Sequence, residues 1–113
     1  MNQFKRFNAY RVMWVMIYFD LPTETKQDRK LYAQFRKNLI AAGFTMFQYS
    51  IYTRHCMSRE YADKYIGGVK RILPPKGHVV ISCITDKQFG MMEVYHGNTS
   101  KVLQATKPMV ELF

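Results

Sequence analysis

Residues 12–19 read VMWVMIYF, the longest apolar run in the chain. A membrane span needs roughly 18–20 apolar residues, so this run is far too short to cross a bilayer. Its mixture of β-branched and aromatic residues is typical of a central strand that is covered on both faces. The run ends in Asp20-Leu21-Pro22, with no small-residue cleavage site of a secretory signal. We therefore expect a first strand over 12–19 in a cytoplasmic protein that has no membrane segment.

A helix is predicted next, from residue 26 to residue 42. Thr25 and Asp28 have the spacing of a capping box, and Gly43 lies where a left-handed C-terminal cap is expected. At 100° per residue, one stripe of this helix is apolar and consists of Leu31, Phe35, Leu39 and Ala42. The opposite side is basic and consists of Lys26, Arg29, Lys30, Arg36 and Lys37.

The remaining patterns complete an α+β order. Short β-branched and aromatic stretches predict strands over 44–47 and 51–56, a helix is predicted over 59–73 up to Pro74-Pro75, and strands are predicted over 79–84 and, more weakly, 91–95. Strand, helix, strand, strand, helix, strand is the split βαβ order of a ferredoxin-like βαββαβ sandwich, with two helices on one sheet face. With 113 residues we expect one domain, flanked by an N-terminal extension over 1–10 and a C-terminal loop and tail over 96–113.

The first and fourth strands are apolar on both faces, which predicts a cover for the second sheet face. A homodimer packed through the sheet faces would supply that cover. The chain ends in an apolar tail that could add as an extra strand to the sheet edge of a partner, or else pack back on its own dimer or fray. Its candidate partner-docking residues are Met109, Val110, Leu112 and Phe113.

The charge of the chain points to a polyanion. Seventeen Lys and Arg against eight Asp and Glu give a formal net charge of +9, the balance expected of a nucleic-acid-binding protein. The alternative is a basic protein that is merely soluble. Besides the five basic residues of the first helix, candidate phosphate contacts near strand or helix ends are Arg54, Arg59 and Lys76.

Common catalytic and metal motifs are absent from the sequence. Cys56 and Cys83 have neither CxxC spacing nor a neighbouring ligand quartet, so we expect free, inert thiols. The histidines, His55, His78 and His96, are scattered and lack the spacing of a zinc site. His55 and Cys56 should point to opposite faces of a strand, which excludes a nucleophilic pair between them. Nor is there a Walker loop, a GxGxxG or a GxSxG motif.

Asp20 is the acidic residue that directly follows the first strand. An ordinary role for it is to accept hydrogen bonds from the turn that leads to the first helix. If a twofold axis passed near the strand ends, however, two Asp20 carboxylates would face each other and a shared Mg²⁺ would relieve their repulsion. The sequence leaves both roles open.

Several ordered motifs resemble one known family. They are Tyr18-Phe19-Asp20-Leu21-Pro22-Thr23, the helical stretch 30–37, Gly43-Phe44 with residues 48–52, Leu73-Pro74-Pro75-Lys76-Gly77 and Thr85-Asp86-Lys87-Gln88-Phe89. Together they are similar to the small CRISPR-associated protein two, over about residues 11–95. The variant found beside a single large RNA-guided nuclease is the most similar.

The resemblance implies a ferredoxin-like homodimer that acts in CRISPR adaptation. Such a dimer bridges two dimers of the integrase, CRISPR-associated protein one, and the pair inserts short foreign DNA into the CRISPR array. Members are also described as Mg²⁺-dependent endonucleases acting on RNA or double-stranded DNA, and their catalytic, metal-binding carboxylate matches Asp20. We favour a DNA-binding scaffold, because one carboxylate per chain is a thin catalytic apparatus. The alternatives are an active nuclease with paired Asp20 and a ferredoxin-like RNA-binding protein unrelated to CRISPR.

Overall fold

The computed structural model describes residues 11–95 and residue 97. The predicted N-terminal extension lies outside the described residues, as does the tail with its candidate docking residues Met109, Val110, Leu112 and Phe113. Within the described part of the chain, no helix is long and apolar enough to span a membrane.

Four antiparallel strands form one sheet. They are β1 (Met13–Asp20), β2 (Thr45–Gln48), β3 (Ile51–Cys56) and β4 (His78–Thr85), in the order β2-β3-β1-β4. The apolar run at the start of the chain is the long inner strand, paired along both edges, as predicted. Ile17, for example, lies opposite Tyr52 on β3 and Ile81 on β4.

Two helices connect strands along the chain. They are α1 (Lys26–Ala41), between β1 and β2, and α2 (Arg59–Lys70), between β3 and β4. The predicted capping box opens α1, since the Thr25 hydroxyl accepts from the Asp28 amide at 2.9 Å. Gly43 follows the end of α1 with φ +89°, as the sequence predicted. The helix predicted over 59–73 ends three residues early, at Lys70. Leu73 precedes a proline, a position that disfavours helical backbone.

The core lies between one sheet face and the two helices. Val15 and Ile17 of β1, Leu39 of α1 and Ala62 of α2 are fully buried in it. Since burial of apolar area is the main stabilising term in folding, this layer holds the sheet and helices together. The α+β, ferredoxin-like arrangement predicted from the sequence is confirmed.

The strand predicted over 91–95 is wrong. A short helix α3 (Asp86–Gly90) follows β4 directly, and only Tyr95 makes an isolated bridge. Thr85 and Gln88 form a second capping box that starts this helix. Phe89 then stacks on Trp14, with ring centroids 3.9 Å apart and planes at 7°.

The second sheet face is therefore covered in part by the chain itself, which the sequence-based expectation did not include. Phe89 of α3 packs on Trp14 and is only 2% exposed, and Met16 of β1 is equally buried. Val80 of β4, which pairs with Tyr18 of β1, remains 58% exposed. An open apolar area thus persists on the second face, at the end of β1 that carries Asp20.

Candidate nucleic-acid interface and strand-end carboxylate

The outer side of α1 presents a row of cations. Phe35 and Leu39 bind the helix to the core, so the residues on its opposite side project into solvent. These exposed residues are Lys26, Arg29, Lys30, Arg36 and Lys37, which we call the α1 basic face. Within residues 11–95, the three lysines of this face make no ion pair or hydrogen bond through their side chains. They are available to a ligand.

The two arginines of the α1 basic face are held by the chain. Arg29 donates through Nη1 to the carbonyl oxygens of Thr23 and Glu24, each at 3.1 Å. Arg36 donates through Nε to the Tyr52 hydroxyl at 2.7 Å. Each guanidinium has five N–H donors, so both retain donors for an incoming anion while their positions are restricted.

The three candidates outside α1 are engaged with the chain in different ways. The Arg54 guanidinium lies 3.8 Å from the Tyr65 ring centroid and donates to the Gly43 carbonyl at 3.2 Å. Arg59 pairs with Asp63 at 3.2 Å, and both side chains are exposed. An exposed pair of this kind contributes little to stability and is easily exchanged for a phosphate.

Lys76 faces the buried carboxylate of Asp28, with 3.7 Å between Nζ and Oδ1. The Thr25 amide donates to the other carboxylate oxygen at 3.2 Å. This backbone hydrogen bond is the main reason that the pKa of Asp28 lies below its usual value, and the Thr25 hydroxyl and the Lys76 charge act in the same direction. Lys76 therefore compensates a buried charge, although its own side chain is largely exposed.

Asp20 is the last residue of β1, and its side chain is exposed. Alternation along the strand places it on the second sheet face with Tyr18, opposite His78 of β4. Gly77, with φ +88°, brings the turn before β4 against this strand end. A Cβ there would lie 2.7 Å from the Asp20 carbonyl oxygen. The backbone around Asp20 is thus fixed while its carboxylate remains open.

One chain offers few ligands to a metal ion near Asp20. Within the described part of the protein, no three His, Cys, Asp or Glu side chains gather into a possible metal site. Mg²⁺ prefers oxygen ligands and retains several waters, and it is usually bound by one or two carboxylates together with substrate phosphates. The open carboxylate of Asp20 fits such an ion if a second copy of the chain contributes its own Asp20.

The thiols are free, as expected. Cys56 is buried and Cys83 is half-buried, and burial raises the pKa of both thiols. His55 is exposed whereas Cys56 points into the core, which confirms that the two side chains lie on opposite faces. Thiolate chemistry has no support at these positions.

Tyr49 is not among the site residues predicted from the sequence. It lies in the turn between β2 and β3, and its ring is 79% exposed. The signal was present, because Gln48-Tyr49-Ser50 lies between the two strands predicted over 44–47 and 51–56. An aromatic residue in such a turn cannot reach the core as one within a strand does.

Comparison with known proteins identifies the family. The family model of CRISPR associated protein Cas2 matches residues 13–92. A relative from Flavobacterium psychrophilum is 46% identical over 111 residues, which cover 98% of this chain and 95% of the relative. One from Parvibaculum lavamentivorans is 45% identical over 101 residues, 89% of this chain and 100% of the relative. Both are named CRISPR-associated endoribonuclease Cas2. With a family model and near full-length relatives in agreement, the chain belongs to the Cas2 family of CRISPR-associated proteins.

Proposed function

We propose that this protein is a dimeric scaffold of CRISPR adaptation, which holds duplex DNA and bridges dimers of the integrase, CRISPR-associated protein one. The observation that carries the proposal is the α1 basic face. Its three lysines are exposed and without partners in the described chain, and its two arginines are held in place. The family membership supports the CRISPR context.

The dimensions of the α1 basic face suit the backbone of a duplex. Lys26 and Lys37 are eleven residues apart, which corresponds to roughly 16 Å along a helix. That is about half a turn of B-DNA. Lysine and arginine side chains spaced over this length contact phosphates and read no base edges, so binding is independent of sequence and weakens with salt.

The open part of the second sheet face is the proposed dimer interface. Tyr18 and the exposed Val80 lie there side by side, and Asp20 follows on the same face. Two copies packed through this area would bury the apolar side chains and bring the two Asp20 carboxylates to one interface. Light scattering at micromolar concentration tests the dimer, and a monomer would contradict it.

A second function is favoured by the name endoribonuclease that the relatives carry. In this alternative, the two Asp20 carboxylates of a dimer would hold Mg²⁺, and the chemistry that the ion would supply is activation of a water and neutralisation of phosphate charge. Asp20 would be the residue that positions the ion. We rank this function second, because within the described residues Asp20 belongs to no cluster of three or more His, Cys, Asp or Glu side chains.

The two functions separate in an integration experiment. The protein is purified with its integrase, with and without duplex DNA, as wild type, as Asp20→Ala and as a control Glu24→Ala, which removes another exposed carboxylate close by. If all three assemble and integrate DNA, the scaffold holds and Asp20 has only a structural role. If Asp20→Ala alone loses integration or assembly, the Asp20 site takes part in the mechanism.

Salt dependence and nuclease assays complete the test. Affinity for duplex DNA should fall steeply with salt, and an affinity that does not change would contradict the scaffold. Purified wild type and Asp20→Ala are then compared on RNA and on duplex DNA with Mg²⁺. Equal cleavage by both would exclude the paired-Asp20 nuclease.

A further inference from the structure

The turn between β2 and β3 presents Tyr49 in a fixed position. Ser50 has φ +70°, a left-handed backbone that a residue with a side chain adopts at a cost. Two contacts hold Ser50 in this conformation. Its carbonyl accepts from the Phe19 amide at 3.0 Å, and its hydroxyl lies 3.5 Å from the hydroxyl of Tyr32. The exposed ring of Tyr49 is thus carried by an anchored turn.

Tyr49 belongs to a small aromatic group on the flank of α1. Its ring lies beside that of Tyr32, with centroids 6.2 Å apart and planes at 25°. Residues three and four positions apart share one side of a helix, so Arg29 and Arg36 flank Tyr32 by one turn on either side. A nearly parallel pair of rings therefore lies next to two cations of the α1 basic face.

Tyr49 is also uncharged under ordinary conditions. The neighbouring Tyr32 hydroxyl is the main reason that the pKa of Tyr49 lies above its usual value. A neutral, exposed ring beside a helix that carries guanidinium groups suits a nucleobase with its flanking phosphates. A protein ligand would have to bring acidic groups to both arginines as well as an aromatic residue, whereas every nucleic-acid strand has this pattern.

We propose that Tyr49 is a stacking platform for an unpaired nucleobase, with Arg29 and Arg36 binding the phosphates on either side of it. The inference rests on the proposed function, in which the α1 basic face binds nucleic acid, and it adds a residue that contacts a base. Bases inside a duplex are stacked on their neighbours, so an aromatic side chain reaches only bases that are unstacked. The ligand is therefore a strand with an unpaired segment, such as an overhang at the end of a duplex.

Three probes and four variants test the platform. The probes are a blunt duplex, the same duplex with an unpaired extension, and that extension carrying 2-aminopurine, whose fluorescence falls when it stacks. Tyr49→Ala removes the ring, Tyr49→Phe keeps it, and Tyr49→Leu keeps apolar area without a π face. Tyr61→Ala is the matched control, because Tyr61 is 53% exposed on α2.

Stacking on an aromatic residue changes affinity by about 5- to 150-fold per base. We expect Tyr49→Ala and Tyr49→Leu to lose a factor in this range for the extended duplex and to abolish 2-aminopurine quenching. The blunt duplex should bind with unchanged affinity, and Tyr49→Phe and Tyr61→Ala should behave as wild type. If the Tyr49 variants bind the extended duplex like wild type, or if Tyr49→Leu alone retains binding, the platform is wrong while the scaffold stands. If the wild type binds neither duplex, the proposed function itself fails.

Discussion

Replacing Gly43 by alanine should lower the stability of the fold, because the new Cβ displaces the guanidinium of Arg54. Gly43 has φ +89°, and a Cβ built there would overlap Nη1 of Arg54 and lie 2.9 Å from its Cζ. The guanidinium would have to leave. It would lose its hydrogen bond to the Gly43 carbonyl and its position over the Tyr65 ring.

The magnitude is the sum of strain and lost contacts. Alanine in left-handed backbone costs about 1–2 kcal/mol. A half-buried guanidinium hydrogen bond contributes about 1–2 kcal/mol and the cation–π contact about 0.5–1 kcal/mol. Gly43→Ala should therefore cost roughly 2.5–5 kcal/mol of a total stability of about 5–15 kcal/mol.

A double-mutant cycle isolates the contact between Gly43 and Arg54. Arg54→Ala should cost about 1.5–3 kcal/mol, from the same two contacts. Since Gly43→Ala already loses those contacts, the double variant should be about as stable as Gly43→Ala alone. The assay is urea denaturation followed by the fluorescence of Trp14, the single tryptophan.

The control is a glycine without this contact. A Cβ on Gly67 would have its nearest neighbour at 3.9 Å, and the residue is helical. Gly67→Ala should raise stability by up to about 1 kcal/mol. If Gly43→Ala behaves like Gly67→Ala, or if the costs of Gly43→Ala and Arg54→Ala add in the double variant, the reasoning is refuted.

Three further predictions concern Asp28, Asp86 and Lys30. Because Thr25 lowers the pKa of Asp28, its carboxylate stabilises the fold above the unfolded pKa of about 4, and this contribution is lost as pH falls through the lower folded value. Thermal unfolding should therefore show the advantage of wild type over Asp28→Asn shrinking below about pH 4, whereas a constant difference would exclude the mechanism. The Trp14 indole N–H donates to the Asp86 carboxylate at 2.7 Å. Asp86→Ala removes this acceptor and should lower the free energy of unfolding, measured by urea denaturation, by about 1–3 kcal/mol. Lys30→Glu should weaken duplex binding and lower the slope of log affinity against log salt by about one or more. An unchanged slope would remove Lys30 from the interface.

Where the fold follows from local patterns, the sequence predicted it well. The capping box of Thr25 and Asp28 and the cap at Gly43 depend on residues within one or two turns, so both are visible in the sequence. The strand predicted over 91–95 is wrong, although a local signal in the sequence indicated a helix just before it. Thr85 and Gln88 have the same capping-box spacing as Thr25 and Asp28, and this signal of a helix was passed over.

The partners of the candidate site residues were not predictable in the same way. Arg54 of β3, Tyr65 of α2 and Gly43 of the turn after α1 are brought together only by the assembled fold. The cover that Phe89 gives to Trp14 likewise joins residues 75 positions apart in the chain. Periodicity and spacing report which side of an element is exposed, but they contain no information on which distant side chain will meet it.

Within the described residues, the structure divides the cations of the α1 basic face into arginines whose side chains are bonded to the chain and lysines whose side chains are not. Arginine has a rigid fork of donors, so Arg29 and Arg36 can bind the chain and still offer N–H groups to a phosphate in a fixed direction. The lysines of the α1 basic face are flexible point charges without partners in the described chain. They suit a backbone whose phosphates need not be in register. In the proposed complex, an unpaired base would stack on Tyr49, whose ring lies beside Tyr32 of α1, and the lysines would hold the duplex that follows it.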